Sequence, residues 1–190
     1  FPNTKFPRIL KVLHFRLHGR FSPRAVRLLA VLCSFSGGLP TGAPTSPAIA
    51  NQVLSRADRS IRKAAETKNV CYTRYADDLT FSGDGHEPVE ILPFVEEVVG
   101  QLGYQLDPKK TNFFRKGRRQ CVTGLVVNQK PNLAKPLRRR LRAAVHRYVH
   151  QKPMEWHGRP MNLTQLLGRL GFLAQTQPEE AKRLKTLIQA

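Results

Sequence analysis

Apolar residues recur at helical spacing over residues 5–17, where Phe6, Ile9, Leu10, Leu13 and Leu17 share one face. Ser22 followed by Pro23 is a helix start, a capping side chain with proline in the first turn. It opens a second helix that runs through Leu28, Leu29 and Leu32. Residues 37–47 hold three glycines and three prolines, which exclude regular structure there. Ser46-Pro47 is expected to cap the next helix, whose apolar face is Ile49, Val53, Ala57 and Ile61. The period then shortens: 70–75 and 79–82 read as two strands about a tight turn at Ala76-Asp77-Asp78. A helix is predicted over 88–102, with Val89, Leu92, Val95, Val99 and Leu102 inward and Gly103 ending it. Residues 121–127 are rich in strand formers. Helices follow at 134–151, 163–175 and 178–189, with Gly117, Pro131 and Pro136 as breaks. The expected fold class is α+β, with a boundary near 130 between a mixed part and an all-helical basic tail.

Length and composition narrow the class. A chain of 190 residues with 41% hydrophobic and 24% charged residues can bury a core, which excludes wholesale disorder. No apolar run approaches a membrane span, and Lys5, Arg8, Lys11 and Arg16 interrupt any signal-peptide core. Cys33, Cys71 and Cys121 are odd in number and far apart, so neither a disulfide framework nor a Cys-x-x-Cys zinc site is expected. A reducing, cytoplasmic setting is the expectation.

Charge changes the picture more. The net charge is +19, and residues 1–57 carry eight basic side chains and no acidic one. Residues 108–152 carry fourteen basic and no acidic residues, whereas ten of the thirteen carboxylates lie within 58–107. The flanks attract a polyanion, of which nucleic acid is the commonest. Arg138, Arg139, Arg140, Arg142 and Arg147 share a predicted helix whose other face is Leu137, Leu141 and Val145. With no carboxylate between 108 and 152 to pair with, they are expected to follow a phosphate backbone. His146 and His150 stand one helical turn apart, but no neighbouring Cys, Asp or Glu supports a zinc site. Trp156 and Phe172 are expected in the core.

The acidic block contains Tyr75-Ala76-Asp77-Asp78. Two adjacent aspartates at a turn repel one another unless a cation holds them, and hard divalent ions prefer carboxylate oxygens. Aspartate is also a common turn residue. The apolar and aromatic residues in Thr73 to Ser82 argue that the hairpin is half buried and its turn fixed.

These residues together resemble a known family. Tyr75-Ala76-Asp77-Asp78 is similar to motif C of reverse transcriptases, and residues 38–47 (Gly-Leu-Pro-Thr-Gly-Ala-Pro-Thr-Ser-Pro) to their motif B. Residues 103–111 resemble motif D, and residues 122–128 stand where the primer grip belongs. The triplet Val122-Thr123-Gly124 and the segment Leu167-Gly168-Arg169-Leu170-Gly171-Phe172 resemble the bacterial retron lineage, the latter also that of group II introns. The motifs stand in the family's order over nearly the whole chain. The resemblance implies an α+β palm over 1–130 and a helical thumb over 131–190, without the fingers. Phe1-Pro2-Asn3-Thr4 looks like the end of motif A, which places the family's first metal-binding Asp just upstream of Phe1. The chain alone is therefore expected to be truncated and inactive.

What the resemblance implies about the site is specific. Asp77 and Asp78 would be catalytic metal ligands for two Mg²⁺ ions, one of whose ligands is the upstream Asp, and Lys110 would act on the departing pyrophosphate. Phe1 would pack under the incoming sugar, and Pro40, Thr41 and Gly42 would line the nucleotide. Val122, Thr123 and Gly124 would hold the primer end. The implied activity is RNA-directed DNA synthesis on a structured non-coding RNA from dNTPs, in the bacterial cytoplasm. The retron type adds a possible effector protein and a role in phage defence. Other bacterial types (group II intron, diversity-generating, CRISPR-associated) and a non-catalytic RNA-binding module stand as alternatives.

Overall fold

A 23-residue helix, α3 (Thr45–Thr67), is the spine of the first half of the chain, because its buried Ile49, Val53, Ala57, Ile61 and Ala65 recur every four residues. The computed structural model describes residues 1–189, and the chain divides into two compact units after Asn112. The fold is α+β with small antiparallel sheets.

In the first unit, α1 (Phe6–Leu17) and α2 (Pro23–Leu32) pack with the early turns of α3 around Ile9, Ala30, Leu39, Ile49 and Val53. The Ser22 hydroxyl accepts from the Ala25 N–H, the cap that its sequence announces. The later turns of α3 receive a hairpin, β1 (Cys71–Tyr75) and β2 (Asp78–Ser82), together with α4 (Glu87–Glu90) and α5 (Leu92–Gln101). A two-stranded hairpin is marginal alone. This one is held because Tyr72 and Phe81, directly opposite in register and stacked at 5.0 Å, turn toward α3 and α5.

Three expectations change here. Ser46 does not cap α3; it lies inside the first turn, fully buried, and its hydroxyl donates to the Pro40 carbonyl at 2.7 Å. The turn is two residues, Ala76-Asp77, and Asp78 already pairs with Tyr75. The helix expected over 88–102 is two helices, because Pro93 has no N–H to continue the ladder. Ile91 at the joint takes the core position, and Val89 is exposed.

The second unit is built on α6 (Lys135–Val149), α7 (Leu163–Ala174) and α8 (Pro178–Gln189) around Leu141, Val145, Leu166, Leu170, Leu173 and Leu184. It is not all-helical. β3 (Cys121–Val122), β4 (Leu125–Val126) and β5 (Asn132–Leu133) form a small antiparallel sheet, and β6 (Glu155–Trp156) pairs with β7 (Arg159–Pro160). Leu125 and Leu133 pack into the helical core, so this sheet belongs to the second unit and the division falls well before residue 130. Trp156 packs against that core with the Arg169 guanidinium 4.1 Å above its ring, while Phe172 is exposed. No described helix is long and apolar enough to cross a membrane.

Candidate active site

The hairpin turn presents the two aspartates. Ala76 takes φ 52°, the positive value that a two-residue hairpin turn needs at its first position. β1 and β2 alternate, so Tyr72, Arg74, Leu79 and Phe81 face the helices, while Tyr75 and Asp78 lie opposite each other on the outer face. Asp77 and Asp78 are both exposed, and neither side chain bonds to a cation among the described residues. Their hard, unpaired oxygens fit a hard divalent ion such as Mg²⁺. Among the described residues no group of three His, Cys, Asp or Glu side chains comes together to hold a metal. Two carboxylates alone do not complete the shell of six or more oxygens that such an ion takes.

Beneath the turn lies an ion-pair network that the sequence reading missed. Arg74 donates through Nε and Nη2 to the two Asp58 carboxylate oxygens, at 2.8 and 2.6 Å. Its Nη1 donates to Asn51 Oδ1 at 2.9 Å and to the Ala76 carbonyl at 2.7 Å. The Tyr72 hydroxyl donates to Asp58 at 2.9 Å. Burial pushes the Asp58 carboxyl up, but the bonds from Arg74 and Tyr72 outweigh it and hold the group below its ordinary value. Burial, then the bond to Asp58, raises the Tyr72 hydroxyl well above the usual tyrosine range. One signal could have found the network. Arg74 alternates with Tyr72 on the inward face of a strand, and an inward arginine requires a carboxylate.

The segments named for the nucleotide lie on the same scaffold. Pro40 is half-buried, whereas Thr41 and Gly42 are exposed. Gly42 is needed for its φ of 91°, since a Cβ there would meet nothing within 4 Å. The close approach belongs to Gly38, where a Cβ would lie 2.6 Å from the Pro2 carbonyl oxygen. The strand-like contact of Lys5 with Gly38 and the Thr4–Tyr104 hydroxyl bond of 2.9 Å tie the first residues to this loop and to residue 104. Phe1 is exposed. Lys110 is exposed on a single turn over Asp107, whose carbonyl accepts its N–H at 3.0 Å. No hydrogen bond or ion pair joins Phe1, Thr41 or Lys110 to the aspartates among the described residues.

In the second unit, the strand expected over 121–127 folds back on itself. Thr123 and Gly124, with φ of 47° and 84°, make the turn between β3 and β4, and Val122 pairs with Leu125. The arginine row is not uniformly free. Arg138 and Arg142 each bind one oxygen of Glu180 from α8, at 2.6 and 2.7 Å. Arg140 lies against the His157 ring at 3.0 Å, and Arg147 stands 4.0 Å from Glu155. Arg139 alone is exposed with no partner among the described residues. The expectation that the row lacks carboxylates is corrected, because Glu180 comes from outside the 108–152 window. His146 and His150 stack at 4.1 Å and His150 Nδ1 meets the His146 carbonyl.

Comparison with known proteins agrees with the motifs. A model of the family described as reverse transcriptase (RNA-dependent DNA polymerase) matches residues 31–160. The chain is 39% identical to the retron Mx65 reverse transcriptase of Myxococcus xanthus, over 75% of this chain and 33% of that protein. It is 40% identical to the retron Mx162 reverse transcriptase of the same organism, over 95% of this chain and 38% of that protein. It is 29% identical to the retron Ec86 reverse transcriptase of Escherichia coli, over 99% of this chain and 56% of that protein. The chain thus spans from a third to just over half the length of these relatives.

Proposed function

The chain belongs to the reverse transcriptase (RNA-dependent DNA polymerase) family, and on that premise we propose that the protein carrying it copies RNA into DNA and is of the retron type. The observation that carries the reading is the Asp77–Asp78 pair, exposed on a rigidly backed turn and unpaired among the described residues of a protein of net charge +19. A carboxylate pair so placed, with many cations in the chain and none engaged among the described residues, is available for metal. Bound Mg²⁺ would supply charge stabilisation for the attacking and leaving oxygens of nucleotidyl transfer. Asp77 is the principal ligand and Asp78 the second, and a further carboxylate is needed to complete a two-ion site. Lys110 would neutralise the departing pyrophosphate or hand it a proton.

The Pro40–Gly42 loop, braced by Ser46, would line the incoming nucleotide, with Phe1 under its sugar. The Thr123-Gly124 turn would meet the primer end through its backbone. In this reading residues 1–130, the primer-grip strands included, belong to the palm and residues 131–190 to the thumb. The non-coding RNA template, the effector partner and the defence role rest on the retron likeness alone.

The test is RNA-templated primer extension with Mg²⁺ by the full-length protein that contains this sequence, beside Asp77→Asn. Loss of about 4 kcal/mol of transition-state stabilisation predicts about a 10³-fold fall in rate. A folded Asp77→Asn protein as active as the unaltered one would strip Asp77 of its metal role, and no synthesis by the folded, unaltered protein would sink the polymerase reading. Retained RNA binding without any synthesis by either would promote the non-catalytic module.

A further inference from the structure

We infer that Arg74, gripped by Asp58 and Asn51 on α3, is a positioning residue that fixes the Ala76-Asp77 turn and so sets the direction of the Asp77 and Asp78 carboxylates. The inference rests on the polymerase reading for what those carboxylates do, but not for how the turn is held.

The geometry carries it. Four donor contacts leave one guanidinium, and they run to three different places: a carboxylate, an amide and the carbonyl at the crest of the turn. Asn51 and Asp58 are seven residues apart, two turns along α3, so one face of a rigid helix supplies both grips. The fork against Asp58 is bidentate, which sets the plane of the guanidinium as well as its position. Tyr72 fixes the carboxylate in turn. The Arg74 side chain is 10% exposed, so little water competes for these bonds. Ala76 sits at a φ that a residue with a Cβ rarely adopts, and the Nη1 bond to its carbonyl offsets that strain at the residue before Asp77. The charge of Arg74 is met by Asp58, so it does not act as the counter-ion of the outer aspartates. A lysine could supply charge at one of these places but not the planar fork.

The test uses the full-length protein with Arg74→Lys, Asp58→Asn and Asn51→Ala. Three quantities are read: amide hydrogen exchange at residues 75–78, the Mg²⁺ concentration giving half-maximal primer extension, and kcat against the dNTP KM. Arg74→Lys is expected to speed exchange at the turn about 10-fold while α5 keeps its protection. The Mg²⁺ midpoint is expected to rise, and kcat to fall, by about 10-fold or more, with KM within about twofold. Asn51→Ala, which spares the Asp58 pair, is expected to give a smaller shift in the same direction and guards against a variant that fails to fold.

Unchanged exchange at the turn and an unchanged Mg²⁺ midpoint in folded Arg74→Lys would overturn the inference. So would exchange that rises equally throughout the unit, which is the mark of a merely structural residue. If the folded, unaltered protein makes no DNA, the polymerase reading falls, yet the exchange measurement still decides. Faster exchange confined to 75–78 keeps Arg74 as the positioner of the turn, and none overturns it.

Discussion

In the first unit two adjacent carboxylates meet no cation, while in the second a row of arginines meets a carboxylate that its own stretch of sequence lacks. Both arrangements follow from where the charge sits relative to solvent. Asp77 and Asp78 project from an exposed turn, where water screens their repulsion to about 1 kcal/mol, so they can wait for a cation. Arg138 is 22% exposed at the start of α6, where the helix dipole already disfavours a cation, and it cannot wait. Glu180, in the first turn of α8, answers both problems at once: its charge suits its own helix N-terminus and pairs Arg138 and Arg142. Charge on the exposed turn is left unpaired among the described residues, and charge that the fold must bury is matched within the fold.

The largest way to break this comparison is Glu180→Ala. It leaves Arg138 unpaired beneath α8 and is expected to cost about 2 kcal/mol, below the roughly 3–5 kcal/mol of a fully buried pair because Arg142 reaches solvent. Urea melts of the full-length protein measure it, and the loss should depend on pH. Burial pushes the Glu180 carboxyl up, but Arg142 and Arg138 outweigh it and hold the group below its ordinary value. A carboxyl depressed in the folded state stabilises above its unfolded pKa and loses that contribution as pH falls through the folded one. The Glu180→Gln and unaltered proteins should therefore differ at neutral pH and converge on acidification below the ordinary carboxylate range. Parallel curves down to pH 3 would show that the pair carries no such stability.

Much of this was legible in residues 1–189, and the gaps share one cause. The helices α1, α2, α3, α6, α7 and α8 and the β1–β2 hairpin follow from local periodicity and caps. What was not legible depended on residues far apart. Glu180 lies 38 residues beyond Arg142, and Asp58 lies 16 before Arg74, so no window on charge could pair them. The fold-back at Thr123-Gly124 was hidden because both its arms are strand formers, which makes one strand and two look alike until the turn is recognised. Of the candidate site, the Asp77–Asp78 pair was plain from its motif, while the network that backs it was not.

A smaller effect sharpens the comparison within the first unit, where a buried neutral donor does for a loop what Glu180 does for a helix. Ser46→Ala removes the 2.7 Å bond to the Pro40 carbonyl and leaves that oxygen without its donor. The expected cost is about 1 kcal/mol. Hydrogen exchange should rise over residues 38–43 and leave the β1–β2 hairpin unchanged. Equal loosening of loop and hairpin would mean that α3 transmits the change and that the two segments are not held independently.

The smallest effect on stability should come from the arginine with no partner among the described residues. Arg139 stands exposed between Arg138, committed to Glu180, and Arg140, against His157. Arg139→Ala should leave the urea midpoint within about 0.5 kcal/mol of the unaltered protein. If the exposed cation meets a phosphate, the same change lowers the slope of log affinity for RNA against log salt by about one. Arg138→Ala should do the reverse, destabilising the second unit with little change in slope, because its charge is already answered by Glu180. Neighbours in sequence on one helix would then separate into one that serves the fold and one that serves a ligand. An unchanged slope in Arg139→Ala would remove the phosphate role from the one arginine of the row left free to play it.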